Sequence, residues 1–460
     1  MREHYDVIIV GAGPAGIFAA LELSRSRGLN IAILDKGPNI DRRECPARRS
    51  GGRCAQCVPC ALVSGWGGAG AFSDGKLTLS PEVGGHLADI LGFAEAQSLI
   101  REVDQTYVHF GATGPVYGEE SDEVEQLKKR AALAELKLLT VPIRHLGTER
   151  SGHILSAMEQ ELIRRGVDIF TRTEVDSIVT HNGQVTAVTT SKGDTIRGRY
   201  VVVAPGRDGA AWLSRLAQTL RIPIQPNPVD IGVRVELPAS VLEPLTSLVY
   251  EPKLHYYSKT FDDKVRTFCV CPYGEVVTEY AGDVVTVNGH SYADRRTDNT
   301  NFAILVSKSF TEPFREPIAY GKYIAHLANL LGGGVIVQRL GDLRQGRRTT
   351  EQRLSRCITR PTLTSATPGD LGLVLPYRYI VNILEIFEAL DKLAPGVDSR
   401  HTLLYGVEVK YYSSRLELSR VLETPVRNLF AAGDGAGVTR GLIQASASGL
   451  VVAREILARQ

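Results

Sequence analysis

The chain has 460 residues, of which 43% are hydrophobic and 23% charged, and its formal net charge is +2. This length predicts two domains, or three. The near-neutral charge excludes bulk electrostatic attraction to nucleic acid or to an anionic membrane surface. We therefore expect a small-molecule substrate, with no nucleic acid and no membrane as partner. No secretory signal is visible, so a cytoplasmic location with reduced thiols is expected.

The N-terminus carries a dinucleotide-binding fingerprint. An apolar strand (YDVIIV) precedes GAGPAG at residues 11–16, an alanine-rich helix follows, and a second strand (NIAILD) ends at Asp35. In this pattern Gly11 permits the tight turn, Gly13 lets backbone approach a pyrophosphate, and Gly16 lets helix and strand pack closely. The helix N-terminus favours the negative phosphates, and Asp35 would accept hydrogen bonds from a ribose. The fingerprint alone does not separate FAD from NAD.

A cysteine cluster follows, with the spacing C-x8-C-x2-C-x2-C at Cys45, Cys54, Cys57 and Cys60. Four interpretations stay open. A [4Fe–4S] cluster needs four thiolates, and Cys45-Pro46 fits the distant Cys-Pro of such ligand sets. A redox disulfide would join Cys54 to Cys57 or to Cys60. A four-cysteine zinc site usually uses two separated C-x2-C pairs, and reduced thiols packing a loop are the fourth interpretation.

The middle of the chain is predicted as follows. Residues 81–146 form a mostly helical insertion, and residues 167–179 read as one strand. Residues 197–215 read as a buried strand followed by a glycine turn. From residue 229 to 422 strands precede helices, which is typical of an α+β domain. No second dinucleotide fingerprint occurs, and residues 332–341 (GGGVIVQRLG) are expected to be a loop after a helix. Residues 427–457 again read as strand, glycine loop and helix.

The chain resembles the uncharacterised FAD-dependent dehydrogenase family of bacteria and archaea, within the flavoproteins of the glutathione-reductase fold. The resemblance rests on stretches spread over nearly the whole length, among them DVIIVGAGPAGIFAALEL, GWGGAGAFSDGKLTLS, RTFCVCPYGEV, QRLGDLRQGRRTT and GDGAGVTRGLIQASASG. It implies an FAD-binding oxidoreductase of unspecified substrate. It places Asp434 on the flavin ribityl chain and the helix after it at the flavin pyrimidine ring, where negative charge gathers on reduction.

The predicted fold is α/β, with a discontinuous Rossmann-type, glutathione-reductase-like FAD-binding domain and an inserted α+β substrate domain. The boundaries are 1–228 and 423–460 for the FAD-binding domain and 229–422 for the insert. The residues expected to bind the cofactor lie in the glycine turns and beside them: Gly11, Gly13, Pro14, Ala15, Gly16, Asp35, Lys36, Gly67, Gly68, Ala69, Val175, Gly206, Gly433, Asp434 and Ile443.

The catalytic candidates are Arg440, His290, Glu408, Lys410, Cys54 and Cys57. Arg440 directly follows the Gly-Asp loop. His290 is either a general base or a structural histidine. Glu408 and Lys410 share one strand face, which suggests an ion pair turned to a cavity or a solvated face. Cys269 and Cys271 also share a strand face, which favours core packing.

These patterns favour a dehydrogenase or reductase in which hydride passes between flavin N5 and a small organic substrate. A second NAD(P)H-binding fold is lacking in the sequence, so NAD(P)H is expected only as a transient co-substrate. The alternatives are a single-component flavin monooxygenase using NAD(P)H and oxygen, since Asp208-Gly209 loosely resembles its middle motif, and an FAD-bound non-catalytic binding protein.

Overall fold

The computed structural model describes residues 2–46, 55, 57–73, 75–146, 148–225, 227–281, 284–292, 295–310, 314, 316–413 and 415–460. The chain divides into two compact units. The first unit comprises Met1–Val116, Val141–Asn227 and Tyr412–Gln460, and the second comprises Tyr117–Thr140 and Pro228–Tyr411.

The strands in chain order are β1 (His4–Val10), β2 (Ile31–Leu34), β3 (Lys76–Thr78), β4 (Val116–Tyr117), β5 (Lys137–Leu139), β6 (Ile143–His145), β7 (Asp168–Phe170), β8 (Val175–His181), β9 (Gln184–Thr190), β10 (Thr195–Val203), β11 (Ile224–Gln225), β12 (Val229–Pro238), β13 (Lys253–Tyr257), β14 (Lys264–Cys271), β15 (Glu275–Ala281), β16 (Val284–His290), β17 (Asn299–Lys308), β18 (Ile336–Arg339), β19 (Thr367–Pro368), β20 (Leu403–Lys410), β21 (Arg415–Leu416) and β22 (Leu429–Ala431).

The α-helices are α1 (Pro14–Leu23), α2 (Leu87–Leu91), α3 (Phe93–His109), α4 (Asp122–Leu133), α5 (Thr148–Arg164), α6 (Ala210–Thr219), α7 (Ala239–Thr246), α8 (Pro317–Gly332), α9 (Leu340–Arg344), α10 (Glu351–Leu354), α11 (Tyr377–Leu393) and α12 (Leu442–Ala458). Short 3-10 helices occupy Ile40–Arg42, Gly68–Phe72, Leu371–Leu373 and Asp434–Ala436. Among the helices described, none combines the length and the hydropathy that a membrane span requires.

The first unit is built on a seven-stranded sheet in which β7, β2, β1, β10 and β22 run parallel. Strands β9 and β8 extend this sheet from β10 in antiparallel order. The parallel strands are short apolar runs because helices cover both of their faces. One face packs against α1, α3, α5 and α12, and the other packs against α6 and residues of the β8–β9 hairpin.

The second unit is built on an eight-stranded sheet of order β19-β18-β20-β12-β17-β14-β13-β5, together with the β15–β16 hairpin. Strand β12 shows how the sheet separates its two faces, because side chains alternate along a strand. Val229, Ile231, Val233 and Val235 lie in the apolar core with residues of α4, α7, α8 and α11. The intervening Asp230, Arg234 and Glu236 point to the opposite face, yet all three are buried.

The structure differs from the sequence prediction in four stretches of the chain. Residues 117–140 group with the second unit because β5 pairs with β13, and residues 412–422 group with the first unit. Residues 167–179 form two strands, of which β7 pairs with β2 and β8 with β9. The stretch 332–341, expected to be a loop, contains β18, whose main chain pairs with β20. The expected strands at β12, β14 and β16 and the helices α8 and α11 are confirmed.

Helices α1 and α12 approach closely at Gly449, where an added Cβ would overlap the carbonyl oxygen of Ala15 and lie 2.9 Å from the nitrogen of Ala19. We expect Gly449→Ala to lower the free energy of unfolding by roughly 1–3 kcal/mol, since backbone atoms cannot move aside as a flexible side chain would. Urea unfolding measures this. The control is Gly152→Ala in α5, where an added Cβ meets nothing within 4 Å among the described atoms; a similar loss there would contradict the packing argument.

Candidate functional site

The first turn after β1 requires glycine for steric reasons. Gly11 has φ +110°, and a Cβ there would overlap the carbonyl oxygen of Ala204. A Cβ at Gly16 would overlap the carbonyl oxygen of Gly11. The two glycines therefore let the β1–α1 turn pack directly on the end of β10 and let α1 start immediately over the sheet.

Gly13 lies at the N-cap of α1 and leaves space beside the helix end. Within 4 Å, a Cβ added at Gly13 would meet just the Cα of Gly68, at 4.0 Å, among the described atoms. No side chain caps this helix, and Pro14 occupies its first turn. The main-chain N–H groups at the helix start are thus available to a ligand, and their partial positive charge suits an anion.

The loop after the cysteine segment runs beside this turn. The N–H of Gly67 donates to the carbonyl oxygen of Ala12 at 2.8 Å. A Cβ on Gly68 would lie 3.1 Å from the Cα of Gly13, and one on Gly70 would overlap Leu442 at the start of α12. The residues predicted to bind the cofactor, Gly67, Gly68 and Ala69, are therefore brought next to Gly13.

Arg43 holds this loop in place. Its side chain is buried and donates to four carbonyl oxygens: Ala61 and Gly68 at 2.8 Å, Leu62 at 2.9 Å and Trp66 at 2.7 Å. Burial lowers the pKa of Arg43 to about 10, against the opposing effect of Asp35 and Cys60. The guanidinium therefore stays charged at neutral pH. The sequence places Arg43 among several arginines near the cysteines, but its contact with the loop is visible only in the structure.

A third glycine segment, residues 433–441, reaches the same region. A Cβ on Gly433 would lie 3.1 Å from that of Ala15, and one on Gly435 would lie 3.1 Å from the nitrogen of Gly206. The carboxylate of Asp434 accepts hydrogen bonds from the Thr439 hydroxyl at 2.9 Å and from the N–H of Gly441 at 3.1 Å. Burial raises the pKa of Asp434, while Arg207 acts in the opposite direction.

Asp35 directly follows β2 in the same region. Its two carboxylate oxygens accept one hydrogen bond each, from the N–H groups of Ala12 and Gly37, both at 2.8 Å. Burial raises its pKa, and these two hydrogen bonds oppose the rise. The N–H of Gly65 also lowers this pKa. A carboxylate has about four lone-pair sites, so Asp35 can still accept from a ligand. The neighbouring Lys36 lies 2.6 Å from Asp208, which also accepts from Ser64 at 2.7 Å.

Two further predicted cofactor residues are buried structural positions in the first unit. Val175 begins β8 opposite Thr190, and Ile443 is the second residue of α12.

The catalytic candidate Arg440 stacks on an aromatic ring. Its guanidinium carbon lies 3.5 Å from the ring centroid of Tyr412, and its Nε has no hydrogen-bond partner among the described residues. A cation stacked on an aromatic ring keeps its remaining donors for other groups.

The second unit contains a buried group of charges on the polar face of the eight-stranded sheet. Glu408 is fully buried and lies 3.2 Å from Lys410 Nζ and 3.6 Å from Arg234 Nη1. The ion pair predicted for Glu408 and Lys410 is confirmed, and the solvated-face alternative is wrong. Neither carboxylate oxygen of Glu408 has an aligned hydrogen bond within the described part of the chain.

Glu236 on the same sheet shows the usual arrangement of a buried carboxylate. Its Oε1 accepts from the Thr362 hydroxyl at 2.5 Å and from Asn299 at 3.0 Å, and its Oε2 accepts from the Tyr405 hydroxyl. Burial raises the pKa of Glu236. Since buried charges are normally satisfied in this way, the incomplete hydrogen bonding of Glu408 marks its surroundings as a candidate site.

The remaining predicted catalytic and metal-binding residues are His290 and the cysteines of the Cys45–Cys60 segment. His290 ends β16 opposite Glu275 in the hairpin, and its ring centroid lies 6.4 Å from that of Tyr292. Cys57 is exposed, and Cys45 and Cys60 are partly buried. Cys54 lies outside the described residues. Within the described residues, no three His, Cys, Asp or Glu side chains are grouped as metal ligands.

Comparison with known proteins identifies the family. Residues 6–300 match the family described as FAD dependent oxidoreductase, which is more than half of the chain. The chain belongs to this family. Residues 228–411 also match the family described as FAD-dependent protein, C-terminal domain-like, and these are the residues of the second unit from Pro228 to Tyr411.

Individual relatives are distant or cover short stretches. An uncharacterised protein of Clostridium beijerinckii is 28% identical over 472 residues, which cover 98% of this chain and 80% of that protein. One of the subunits of opine oxidase from Rhizobium meliloti is 58% identical over 38 residues, 8% of this chain and 7% of that protein. L-proline dehydrogenase from P. horikoshii is similar in structure, with 13% identity, a TM-score of 0.41, and coverage of 100% of this chain and 95% of that chain. Glycine oxidase from Geobacillus kaustophilus has 16% identity, a TM-score of 0.39, and coverage of 100% and 96%.

The cofactor of this oxidoreductase is FAD, and the glycine-lined region of the first unit fits it. The open space at Gly13 is one that a Cβ would fill, the helix end beside it lacks a side-chain cap, and the Asp35 carboxylate can accept further hydrogen bonds. FAD carries a pyrophosphate and ribose hydroxyls, which match these groups.

Sequence reasoning missed several residues that organise these regions. Trp66 is fully buried and donates from Nε1 to the carbonyl oxygen of Leu155 at 2.8 Å. Arg234 is fully buried, and Asn301 accepts two hydrogen bonds from it, at 2.8 and 2.6 Å. The signal available for Arg234 was the alternation of charged residues in DIGVRVELP, which put three charges on one face of a strand.

Removing the Arg43 guanidinium should loosen the loop beside the helix end. We expect Arg43→Met to lower the free energy of unfolding by roughly 2–4 kcal/mol, because buried carbonyl groups lose charged donors, and to reduce the FAD content after purification. Urea unfolding and flavin absorbance measure the two effects. Arg42→Met is the control because Arg42 is 70% exposed; equal effects of the two changes would contradict the proposed support of the loop.

Asp35 is expected to contribute directly to FAD affinity. Asp35→Ala should raise the dissociation constant for FAD roughly ten- to a hundredfold, the equivalent of about 1.5–3 kcal/mol for charge-assisted hydrogen bonds. Flavin fluorescence during reconstitution of the apoprotein gives this constant. Asp41→Ala is the matched control, since Asp41 is 68% exposed. Unchanged affinity in Asp35→Ala would exclude a contact between this carboxylate and the cofactor.

Proposed function

We propose that this FAD-dependent oxidoreductase is a dehydrogenase or reductase acting on a small organic substrate that carries a negative charge. The observation that supports it best is the convergence of three glycine segments, around Gly13, Gly68 and Gly433, with the carboxylates of Asp35 and Asp434. This arrangement suits one dinucleotide, and the sequence contains a single dinucleotide fingerprint. We accordingly favour a glutathione-reductase-like FAD-binding domain with an inserted substrate domain.

Each group in the first unit has a proposed task. The start of α1 would hold the pyrophosphate, Asp35 the ribose, and Asp434 the ribityl chain. The start of α12, at Gly441 and Leu442, has no side-chain cap and would stabilise negative charge at the flavin pyrimidine ring. Bound FAD supplies two-electron hydride chemistry at N5. The stacked Arg440 would be the charged group nearest to the flavin.

The charged sheet face of the second unit supports an anionic substrate. Burial lowers the pKa of Lys410, but Glu408 and Glu279 outweigh this effect and raise it, so Lys410 stays protonated at neutral pH. Arg266, near Lys410 on this face, pairs with Asp230 at 2.5 Å. Both cations are paired with carboxylates, and because they stay protonated they cannot act as general bases. We propose that Glu408 positions Lys410 and that His290 is the candidate base.

Two accessory proposals concern electron transfer. Because the sequence carries one dinucleotide fingerprint, NAD(P)H would bind only transiently, as a co-substrate. The segment with Cys45, Cys54, Cys57 and Cys60 is the candidate for a [4Fe–4S] cluster or a redox disulfide. Anaerobic absorption spectra separate these two possibilities, since a cluster adds a broad shoulder to the flavin bands and a disulfide adds none.

We also propose that the protein is located in the cytoplasm.

The reaction class is tested with FAD-loaded protein and a panel of anionic organic acids and amino acids. For a dehydrogenase we expect anaerobic bleaching of the flavin by a reducing substrate and reoxidation by an artificial acceptor such as dichlorophenolindophenol. NAD(P)H-dependent oxygen consumption with an oxygen atom in the product would instead indicate a monooxygenase. A flavin that no donor reduces, including NAD(P)H and the whole panel, would indicate a non-catalytic FAD-binding protein.

A further inference from the structure

Cys269 and Cys271 lie close together at an irregularity in β14. Their sulfur atoms are 3.9 Å apart. The pairing of β14 with β17 shifts register between Phe268 and Cys271, and Cys269 adopts a left-handed conformation with φ +47°. A non-glycine residue in this conformation is strained, and such strain is concentrated at functional sites. The irregularity shortens the strand locally, which brings the two thiols into proximity.

A buried arginine contacts both cysteines. Arg234 Nη2 donates to the carbonyl oxygen of Cys269 at 2.7 Å and lies 3.2 Å from the sulfur of Cys271. Arg234 is 0% exposed. Burial lowers the pKa of Arg234, but Glu408 and the two sulfurs outweigh it and raise the pKa. A permanent positive charge therefore lies beside the Cys271 sulfur, and positive charge favours the thiolate.

The charged side chains around Cys269 and Cys271 are compatible with a thiolate at Cys271. Arg234 is fully buried and the side chain of Lys410 is 13% exposed; the fully buried carboxylate of Glu408 lies within 3.6 Å of both cations. Glu279, which also contacts Lys410, has a side chain that is 42% exposed, so solvent screens its charge. A thiolate at Cys271 would add a second negative charge next to Arg234, whose buried charge is costly without a counter-charge.

The two thiols differ in accessibility. Cys269 is partly exposed, whereas Cys271 is 1% exposed. A small disulfide from solution would therefore reach Cys269 first, and Cys271 would react only with its neighbour. Cys269 would therefore be the attacking cysteine, and Cys271 would resolve the mixed disulfide.

We propose that Cys269 and Cys271 form a reversible dithiol–disulfide pair that exchanges with small-molecule disulfides of the glutathione class. Cys269 loses its proton and attacks one sulfur of the small disulfide. A Cys269–sulfur bond forms, the disulfide bond breaks, and one thiolate leaves and takes up a proton. The Cys271 thiolate then attacks the Cys269 sulfur, the Cys269–Cys271 bond forms, and the second small thiolate leaves and is protonated. Two protein thiols are oxidised and one small disulfide is reduced to two thiols.

The redox pair is independent of the reaction proposed for the flavin and separate from the Cys45–Cys60 segment. Its consequence is local. Oxidation removes the negative charge beside Arg234 and leaves a buried guanidinium less well balanced, which alters the same polar face that carries Glu408 and Lys410. The charge on this polar face of the sheet would then depend on the ratio of small-molecule disulfide to thiol in solution.

The test uses full-length, FAD-loaded protein equilibrated without oxygen in glutathione buffers of increasing disulfide fraction. Remaining thiols are alkylated, the protein is digested with trypsin, and peptides are analysed by mass spectrometry. Cys269 and Cys271 share the peptide from Thr267 to Arg295, which contains no other cysteine. We expect the doubly alkylated peptide to be lost as the disulfide fraction rises. A peptide without alkyl groups, two hydrogen atoms lighter than the dithiol form, should replace it, and dithiothreitol should reverse the change.

Three variants make the result specific. Cys271→Ser should accumulate a stable mixed disulfide with glutathione at Cys269, since the resolving sulfur is gone, and Cys269→Ser should form neither product. Cys357→Ser is the control, because Cys357 contacts the carbonyl oxygen of His401, and it should behave as the unchanged protein does. Flavin absorbance checks that each variant is folded. Double alkylation of the unchanged protein at every ratio, or a mixed disulfide at Cys269 as stable as in Cys271→Ser, would overturn the proposal.

Discussion

Backbone-to-backbone contact at the first turn of α1 is the constraint on which the first unit depends. Gly11 meets the end of β10, Gly13 meets the loop at Gly68, and Gly433 meets Ala15 inside α1. A side chain at Gly11 would overlap the main chain of Ala204, and one at Gly433 would lie 3.1 Å from the Cβ of Ala15. Displacing main chain costs far more than moving a flexible side chain, whereas the space at Gly13 stays open. The result is a surface lined by peptide groups, which suits the pyrophosphate that we propose for this turn.

Arg43 shows how such a site is kept rigid. Glycine loops lose much conformational entropy on folding, so a loop with φ above zero at Gly65, Gly67 and Gly68 needs compensation. One buried guanidinium supplies four hydrogen bonds to carbonyl groups on both sides of Trp66. Its planar geometry allows this, and the single positive charge of a lysine could not satisfy four acceptors in fixed directions.

The second unit uses charge in a different way. Its eight-stranded sheet buries apolar side chains on one face and acidic and basic side chains on the other. Glu236 is satisfied by hydroxyl and amide donors, whereas Glu408 is held mainly by the charges of Arg234 and Lys410. An incompletely hydrogen-bonded buried charge pair is a poor source of stability, which is consistent with the positioning role proposed for Glu408. Cys271 lies against the same arginine, which connects the thiol pair to this face.

The amino-acid sequence by itself determined the local elements and the cofactor turn. The spacing of glycines 11, 13 and 16, the apolar strands beside them and Asp35 are local patterns, and the short-range sterics of a strand–turn–helix unit leave few alternatives. The strand pattern also put Glu408 and Lys410 on one face. Pairings between distant segments could not be predicted from local patterns. Strand β5 lies within the predicted helical insertion, yet it pairs with β13. Strand β18 lies where a loop was expected, because main-chain hydrogen bonds to a remote strand outweighed local glycine propensity. Only the tertiary structure decided that Arg43 would hold the loop and that Arg234 would lie beside Cys271. Both depend on which carbonyl groups and sulfurs distant strands and loops bring within hydrogen-bonding distance, and no spacing along the chain encodes that.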